Sequence, residues 1–205
     1  MNMQFHKKFF ITGTDTGIGK TVISALLTNA LDATYWKPIQ AGLDEETDTE
    51  FVARVTNGKS VIPERYRLVT PMSPHGAADI DGVSIQLSDF ELPDVDTEHL
   101  IVEGAGGLIV PINWEDTIID LIKQFELPVL LVARSELGTL NHTLLSIEAL
   151  RKRDIDIFGI VLNGPIHDSN RETLEHFSGV PVWEVEPMES LNKESLSSAF
   201  QKAFG

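Results

Sequence analysis

Short apolar runs alternate along the chain with segments whose apolar residues recur at helical spacing. The runs are nearly continuous in valine, isoleucine and leucine, a pattern typical of strands that are buried on both faces. We predict strands at residues 8–12, 34–38, 99–102, 129–132, 158–162 and 180–185, and helices at 20–31, 48–56, 117–125, 140–151, 169–177 and 193–204. Buried strands that alternate with helices predict an α/β fold, a doubly wound, mainly parallel sheet with helices on both faces.

The length of 205 residues predicts a single domain over residues 1–205. Segment 62–96 is the part with the weakest periodicity, and it is rich in proline and acidic residues. We interpret this segment as a long excursion over the surface that serves as a lid or as part of a partner contact.

A glycine-rich segment, Gly13-Thr-Asp-Thr-Gly-Ile-Gly-Lys-Thr21, separates the first predicted strand from the first predicted helix. The backbone N–H groups of such a loop and the positive end of the helix dipole bind polyphosphates. Thr14 stands where the usual pattern has glycine, and the alternative is an ordinary turn with Lys20 in solvent. We predict that this loop binds the phosphates of a nucleoside triphosphate, with Lys20 on the outer phosphates and the Thr21 hydroxyl on Mg²⁺.

Polar residues also follow other predicted strands, at the edge where parallel sheets bind ligands. Glu103 follows an apolar strand, and we predict that it holds Mg²⁺; its alternative role is to cap the next helix. Asp48 opens a predicted helix and is either its N-cap or a second metal carboxylate. The small residues Gly104, Ala105 and Gly106 let the backbone approach the phosphates.

Three further segments at strand ends are candidates for ligand binding. Lys37 precedes a proline, and we predict that it stabilises charge on a transferring phosphoryl group; the alternative is a surface lysine. Asn163 is a candidate for reading a purine edge or an ordinary turn asparagine. The segment from Gly138 through Thr139 to Asn141 offers donors to a small substrate or is an ordinary helix N-cap.

The balance of 31 acidic against 16 basic residues gives a formal net charge of −15. This charge argues against nucleic acid and anionic membranes as partners.

The chain has no cysteine and therefore no disulfides or thiolate chemistry. No run approaches the roughly 20 apolar residues of a membrane span, and the first apolar run is too short for a signal peptide. We expect a cytoplasmic protein that takes small-molecule substrates.

Together these motifs resemble the dethiobiotin synthetase family over nearly the whole chain. The resemblance rests on the loop that ends at Thr21, and on Lys37-Pro-Ile-Gln-Ala-Gly42, Ser73-Pro-His75, Val102-Glu-Gly-Ala-Gly-Gly107 and Leu137-Gly-Thr-Leu-Asn-His142. The family's loop likewise has no glycine at the position of Thr14. The resemblance implies a P-loop NTPase-like fold and a homodimer.

The resemblance also implies a reaction of 7,8-diaminopelargonate with CO₂ and ATP. A substrate amine takes up CO₂ as a carbamate, whose oxygen attacks the γ-phosphate of ATP to form a carbamic–phosphoric anhydride. The second amine then closes a cyclic urea, and dethiobiotin, ADP and phosphate leave. Such chemistry needs in-line positioning and charge neutralisation more than covalent help from the protein.

Carried over to this chain, the family's residues fall into four groups. The reacting groups would be contacted by Lys37, Lys20 and Thr16. The magnesium ligands would be Thr21, Asp48 and Glu103. The ATP phosphates would be lined by Gly17, Ile18, Gly19, Lys20, Thr21 and Val22, and the rest of the nucleotide would be surrounded by Glu103, Gly104, Ala105, Gly106, Asn163, Gly164, Glu186, Pro187 and Met188. The substrate would contact Ala41, where the family often has serine or threonine, and at the subunit contact Leu137, Gly138, Thr139 and Asn141.

The sequence also allows other interpretations. The chain could be a P-loop switch or positioning ATPase that acts through a protein partner, although Thr14 and Asp15 replace the second lysine common in those loops. A domain of a glutamine-dependent amide ligase would normally need a cysteine nucleophile elsewhere. A non-catalytic ATP-binding module is the third alternative.

Overall fold

The structure, a computed structural model, describes residues 5–167 and 169–205. Its strands are β1 (Lys8–Gly13), β2 (Thr34–Trp36), β3 (Ile39–Ala41), β4 (Val61–Ile62), β5 (Tyr66–Leu68), β6 (Leu100–Gly107), β7 (Val129–Arg134), β8 (Ile157–Asn163) and β9 (Val182–Val185). Its α-helices are α1 (Lys20–Leu31), α2 (Asp48–Val55), α3 (Pro74–Asp81), α4 (Ile118–Phe125), α5 (Thr139–Arg151), α6 (Asn170–Ser178) and α7 (Lys193–Phe204), with a 3₁₀ helix at Leu87–Asp89.

Within the described residues the main sheet has seven strands in the order β4-β2-β6-β1-β7-β8-β9. All its pairings are parallel. The chain lays β2, β4 and β6 on one side of β1 and β7 to β9 on the other. The carboxyl end of β1 therefore lies in the middle of the sheet, where open parallel sheets bind their ligands.

Helices cover both faces of this sheet. Phe9 and Ile11 of β1 pack in one apolar cluster with α1, α2 and α7, whereas Phe10 packs in a second cluster with α3 to α6. Successive strand residues point to opposite faces, so each strand contributes to both clusters. Burial of each such side chain stabilises the fold by about 2 kcal/mol. The predicted α/β fold, a doubly wound parallel sheet with helices on both faces, is confirmed.

The interpretation of residues 62–96 as a surface excursion is wrong. The segment contains β5, α3 and the 3₁₀ helix, and β5 pairs in parallel with β3. Leu68, Ala77 and Phe90 are buried in the cluster that also contains Phe10. A three-residue strand and an eight-residue helix are too short to show a readable period.

Strand β6 continues to Gly107, five residues beyond the predicted end at residue 102. Glu103 therefore lies inside a strand, paired with Ile11, and not in a loop that follows it. The glycines permit this extension because a Cβ on Gly104 would lie 2.8 Å from Phe10 Cε1. The ends of the other predicted elements agree within two residues.

Candidate active site

The loop between β1 and α1 has the backbone shape of a phosphate-binding loop. Gly17 and Gly19 have φ angles of 71° and 88°, in the left-handed region that favours glycine. A Cβ on Gly19 would also lie 2.0 Å from Nδ2 of Asn163. The first N–H groups of α1 point toward the loop. Gly19 is the N-cap and forms no side-chain bond to them, so they are available to a phosphate.

Lys20 begins α1 and is buried, with only 6% of its surface exposed. Its Nζ donates to the carbonyl of Asp15 at 2.8 Å. The Asp15 carboxylate accepts a bond from Arg134 at 2.8 Å, so the end of β7 supports the loop from the side. Burial lowers the pKa of Lys20 to about 8, and attraction to Glu103 limits the decrease.

Glu103 is a fully buried carboxylate at the centre of the site, with 0% of its surface exposed. Its Oε1 lies 3.0 Å from the hydroxyl of Thr21 and 3.3 Å from Nζ of Lys37. Its Oε2 accepts bonds from Ser24 at 2.6 Å and from Tyr35 at 3.0 Å. Burial raises the pKa of Tyr35 well above its usual value, and the nearby carboxylate acts in the same direction. The phenol therefore stays protonated and donates.

Asp48 is the first residue of α2 and not its N-cap, contrary to one of the two roles predicted for it. Thr47 is the N-cap, and it forms a capping box with Glu50. This division of roles leaves the Asp48 carboxylate available to the site. Its Oδ1 accepts a bond from Thr21 at 2.5 Å, and its Oδ2 pairs with Lys37.

Lys37 follows β2 directly and is 6% exposed, so it is not the surface lysine that the alternative interpretation requires. It forms ion pairs with both Asp48 and Glu103. Burial opposes its charge, but attraction to these carboxylates outweighs burial and raises the pKa of Lys37 above its usual value. In turn, burial would raise the pKa of Asp48, but Lys37 holds it below its ordinary value.

These groups border a cavity of about 410 Å³ at the carboxyl ends of the strands. Phosphate-loop residues, Lys37 and both carboxylates line it together with Thr16, Gly106, Glu46, Phe51 and Leu191. A larger cavity of about 550 Å³ lies at the opposite end of the sheet, beside Pro128 and Asp156, and holds none of the predicted site residues.

The oxygens of Thr21, Asp48 and Glu103 fit a magnesium ion. One hydroxyl proton on Thr21 faces two carboxylate oxygens, so it cannot satisfy both, and a cation would complement the remaining lone pairs. Magnesium prefers such oxygen ligands and is commonly held by one or two carboxylates plus phosphates and water. Within residues 5–167 and 169–205, no cluster of three or more His, Cys, Asp or Glu side chains forms a metal site.

Several predicted nucleotide contacts have structural partners of their own. Ile18 is buried in the apolar cluster around α1, and its carbonyl accepts a bond from Asn163 Nδ2 at 2.9 Å. Gly104 packs against Phe10, and Ala105 lies against the cluster on that face of the sheet. Gly164 has a φ of 139° and packs against Ser135.

The remaining predicted contacts do not line the cavity beside the phosphate loop. A third cavity, of about 360 Å³, lies against α7 and is lined by Glu186, Pro187 and Met188. There Glu186 pairs with Lys202. Ala41 ends β3 and is half-buried. At the start of α5, Leu137 is fully exposed, Gly138 is the N-cap, Thr139 is buried and Asn141 is exposed.

Ser24 and Tyr35 are site residues that sequence reasoning missed. Ser24 lies three residues after Thr21, on the same face of α1. Tyr35 of β2 lies two residues before Lys37, which follows the strand, so their side chains point to the same side of the sheet. These spacings were a usable signal once Thr21 and Lys37 had been assigned to the site.

The fold and the loop define a P-loop nucleotide-binding protein, and residues 7–195 match the family described as an AAA domain. A ParA family ATPase from Chlorobium tepidum TLS is 12% identical, with a TM-score of 0.55 over 96% of this chain and 91% of that one. The MinD cell division protein of Aquifex aeolicus is 11% identical, with a TM-score of 0.56 over 95% and 87%. Likeness at these identities shows the fold alone.

More similar relatives identify the family within this class. The ATP-dependent dethiobiotin synthetase BioD of Rhodopseudomonas palustris strain TIE-1 is 49% identical over 96% of this chain and 94% of its own. BioD of strain BisA53 is 50% identical over 95% and 92%, and BioD of Brucella ovis is 44% identical over 97% and 95%. The chain therefore belongs to the ATP-dependent dethiobiotin synthetase family, which confirms the resemblance found in its motifs.

Proposed function

We propose that the chain catalyses the ATP- and Mg²⁺-dependent conversion of 7,8-diaminopelargonate and CO₂ to dethiobiotin, ADP and phosphate, in biotin biosynthesis. It is an ATP-dependent ligase that closes a ring. The observation that carries this proposal is the convergence of Thr21, Lys37, Asp48 and Glu103 on the cavity beside the phosphate loop. Membership of the dethiobiotin synthetase family supports it.

In the proposed reaction one substrate amine takes up CO₂ and loses a proton, giving a carbamate. A carbamate oxygen attacks the γ-phosphorus of ATP, the bond to the bridging oxygen breaks, and ADP leaves. The second amine attacks the carbonyl of the resulting anhydride, loses a proton, closes the cyclic urea and expels phosphate as the C–O bond breaks. In each step negative charge develops on oxygen atoms, so buried cations and N–H donors can stabilise the transition states.

The buried lysines have the placement that this chemistry needs. Lys20 lies at the phosphate loop, and Lys37 lines the same cavity, so both can neutralise the γ-phosphate and the carbamate. Two carboxylates in contact with Lys37 keep its ammonium charged and limit its motion. Thr16 lines the cavity beside Gly106 and can contact the substrate or its carbamate.

Thr21, Asp48 and Glu103 would hold magnesium, which supplies charge neutralisation on the phosphate oxygens when it is bound. The base of the nucleotide would lie toward Asn163 and Gly164 and the cavity of Glu186, Pro187 and Met188. This cavity adjoins the cavity beside the phosphate loop, because Ser190 lines the former and its neighbour Leu191 lines the latter.

We also propose that residues 1–205 act as one domain and that the enzyme is a homodimer. Leu137, Gly138, Thr139 and Asn141 do not line the cavity of their own chain, and the exposed apolar residues Leu137, Leu145 and Ile109 support a subunit contact nearby. Sedimentation equilibrium of the wild type and of Leu145→Glu tests this: a monomeric wild type would contradict it.

No helix within the described residues is long and apolar enough to cross a bilayer. The cytoplasmic location stays a prediction.

The decisive experiment measures ADP release by the purified chain with Mg-ATP, 7,8-diaminopelargonate and bicarbonate, and with each one omitted. We expect turnover only in the complete mixture, with dethiobiotin identified by mass spectrometry. ATP hydrolysis that ignores the diamine and responds to a protein or lipid would favour the switch ATPase instead.

A further inference from the structure

The Glu103 carboxylate is held by two elements, each of which contacts both of its oxygens. Helix α1 places the Thr21 hydroxyl 3.0 Å from Oε1 and the Ser24 hydroxyl 2.6 Å from Oε2. Strand β2 and the residue that follows it place Lys37 Nζ 3.3 Å from Oε1 and the Tyr35 hydroxyl 3.0 Å from Oε2.

The two oxygens therefore have different surroundings. Oε2 faces two neutral hydroxyl donors on the buried side, and Oε1 faces Thr21 and Lys37 on the cavity side. Glu103 is 0% exposed, so water does not replace a missing donor at Oε2. Rotation of the carboxylate would break both bonds at Oε2 at once.

We propose that Ser24 and Tyr35 are positioning residues for the metal site: together they hold Oε2 of Glu103 and so present Oε1 toward the cation. The proposal rests on the proposed function, because it assigns the cation to the site that the reaction needs. Hydrogen bonds from neighbouring side chains to a metal-binding carboxylate commonly decide its orientation. Loss of such a bond typically lowers metal affinity by about 10- to 100-fold.

The loss of either donor has a specific consequence in this site. When Oε2 has one bond instead of two, the carboxylate turns more easily toward the ammonium of Lys37. Oε1 then leaves the side of Thr21, and the two metal carboxylates no longer face the same point. The defect therefore affects metal binding first and nucleotide binding without metal little.

The test uses Tyr35→Phe and Ser24→Ala, each of which deletes one donor and adds no bulk. Tyr66→Phe is the matched control, because it deletes a phenol hydroxyl that bonds Asp89 and Ser84, outside the site. Mn²⁺ binding in the presence of ADP is followed by electron paramagnetic resonance. ADP affinity is measured by calorimetry with and without Mg²⁺.

We expect the Kd for Mn²⁺ to rise about 10-fold in Tyr35→Phe and in Ser24→Ala, and to stay unchanged in Tyr66→Phe. ADP affinity without metal should match that of the wild type in all three variants. If both site variants fold and bind Mn²⁺ within about twofold of the wild type, the proposal is overturned. Equal weakening of ADP with and without metal would also overturn it, because that result reports general damage to the site.

These outcomes are independent of the reaction. A wild type that binds Mn²⁺ and ADP but fails to convert the diamine would remove the proposed function and leave the metal comparison valid. Normal conversion with metal affinities unaffected by the variants would remove this inference alone.

Discussion

The ammonium of Lys37 lies 3.3 Å from Oε1 of Glu103, although 66 residues separate them along the chain. The register of the sheet explains this pairing. Strands β2 and β6 run parallel with Trp36 beside Val102, so the residues that follow this pair, Lys37 and Glu103, lie side by side. Opposite charges on neighbouring strands are thus brought together at the carboxyl edge of the sheet.

Lys37→Ala should lower kcat by about 10²- to 10³-fold, because Lys37 is proposed to act mainly on the transition state. It should also lower the free energy of unfolding by roughly 3 kcal/mol, since it leaves the buried Glu103 without its cation. Steady-state kinetics and urea denaturation measure the two effects. Lys59→Ala is the control, because Lys59 pairs with Asp32 at the far end of α1. A near-normal kcat would remove Lys37 from the mechanism.

Gly19→Ala should abolish tight ATP binding, for two separable reasons. Its φ of 88° strains any other residue, and its Cβ would lie 2.0 Å from Nδ2 of Asn163. Gly58→Ala isolates the strain, because Gly58 has a φ of 80° and no atom within 4 Å of the position that a Cβ would take. That control should lose about 1 kcal/mol of stability and keep its ATP affinity. Calorimetry with Mg-ATP would contradict the prediction if both variants bound equally well.

Thr47→Ala should weaken magnesium binding through the position of helix α2. The Thr47 side chain accepts a bond from the N–H of Glu50, and the next residue, Asp48, is a proposed metal ligand. Loss of an N-cap costs about 1 kcal/mol and loosens the first turn of the helix. We expect the half-saturating Mg²⁺ concentration to rise several-fold.

The control for this prediction is Thr117→Ala, which removes a hydroxyl bond to Asp120 at the start of α4. It should cost a similar amount of stability and leave the Mg²⁺ dependence of turnover unchanged. Equal Mg²⁺ dependence in Thr47→Ala and Thr117→Ala would contradict the coupling between the cap and the site.

The sequence predicts the architecture and the centre of the site because each carries a local signal. Glycine, lysine and threonine between an apolar strand and an apolar helix mark the loop that ends at Thr21. A charged residue at the end of an apolar run marks Lys37 and Glu103. Ser24 and Tyr35 have no such mark, since a hydroxyl on a buried face becomes informative only after a neighbour at the right spacing, Thr21 or Lys37, has been assigned to the site.

Tertiary context decides the parts that the sequence did not predict. Strands β3 and β5 have three residues each and form only because they pair with one another. Strand β6 continues through its glycines because Gly104 leaves room for Phe10. A pattern read along one segment contains no information about a partner segment, so these features required the structure.

Asp81→Asn should reduce stability at neutral pH and lose this effect in acid. The Asp81 carboxylate accepts bonds from the Thr70 hydroxyl at 2.7 Å and from the N–H of Val69 at 2.5 Å, and these bonds, the hydroxyl first, lower the pKa of Asp81 below its ordinary value. A lowered folded-state pKa means that the charged form stabilises the fold above the unfolded pKa of about 4, and that this contribution disappears as pH falls through the folded value. Urea denaturation between about pH 7 and pH 3 should therefore show a difference between wild type and variant that is constant down to about pH 5 and shrinks below about pH 4. Thr70→Val, which removes the main donor, should reproduce part of the effect, and a difference that stays constant throughout the acid range would contradict the assignment.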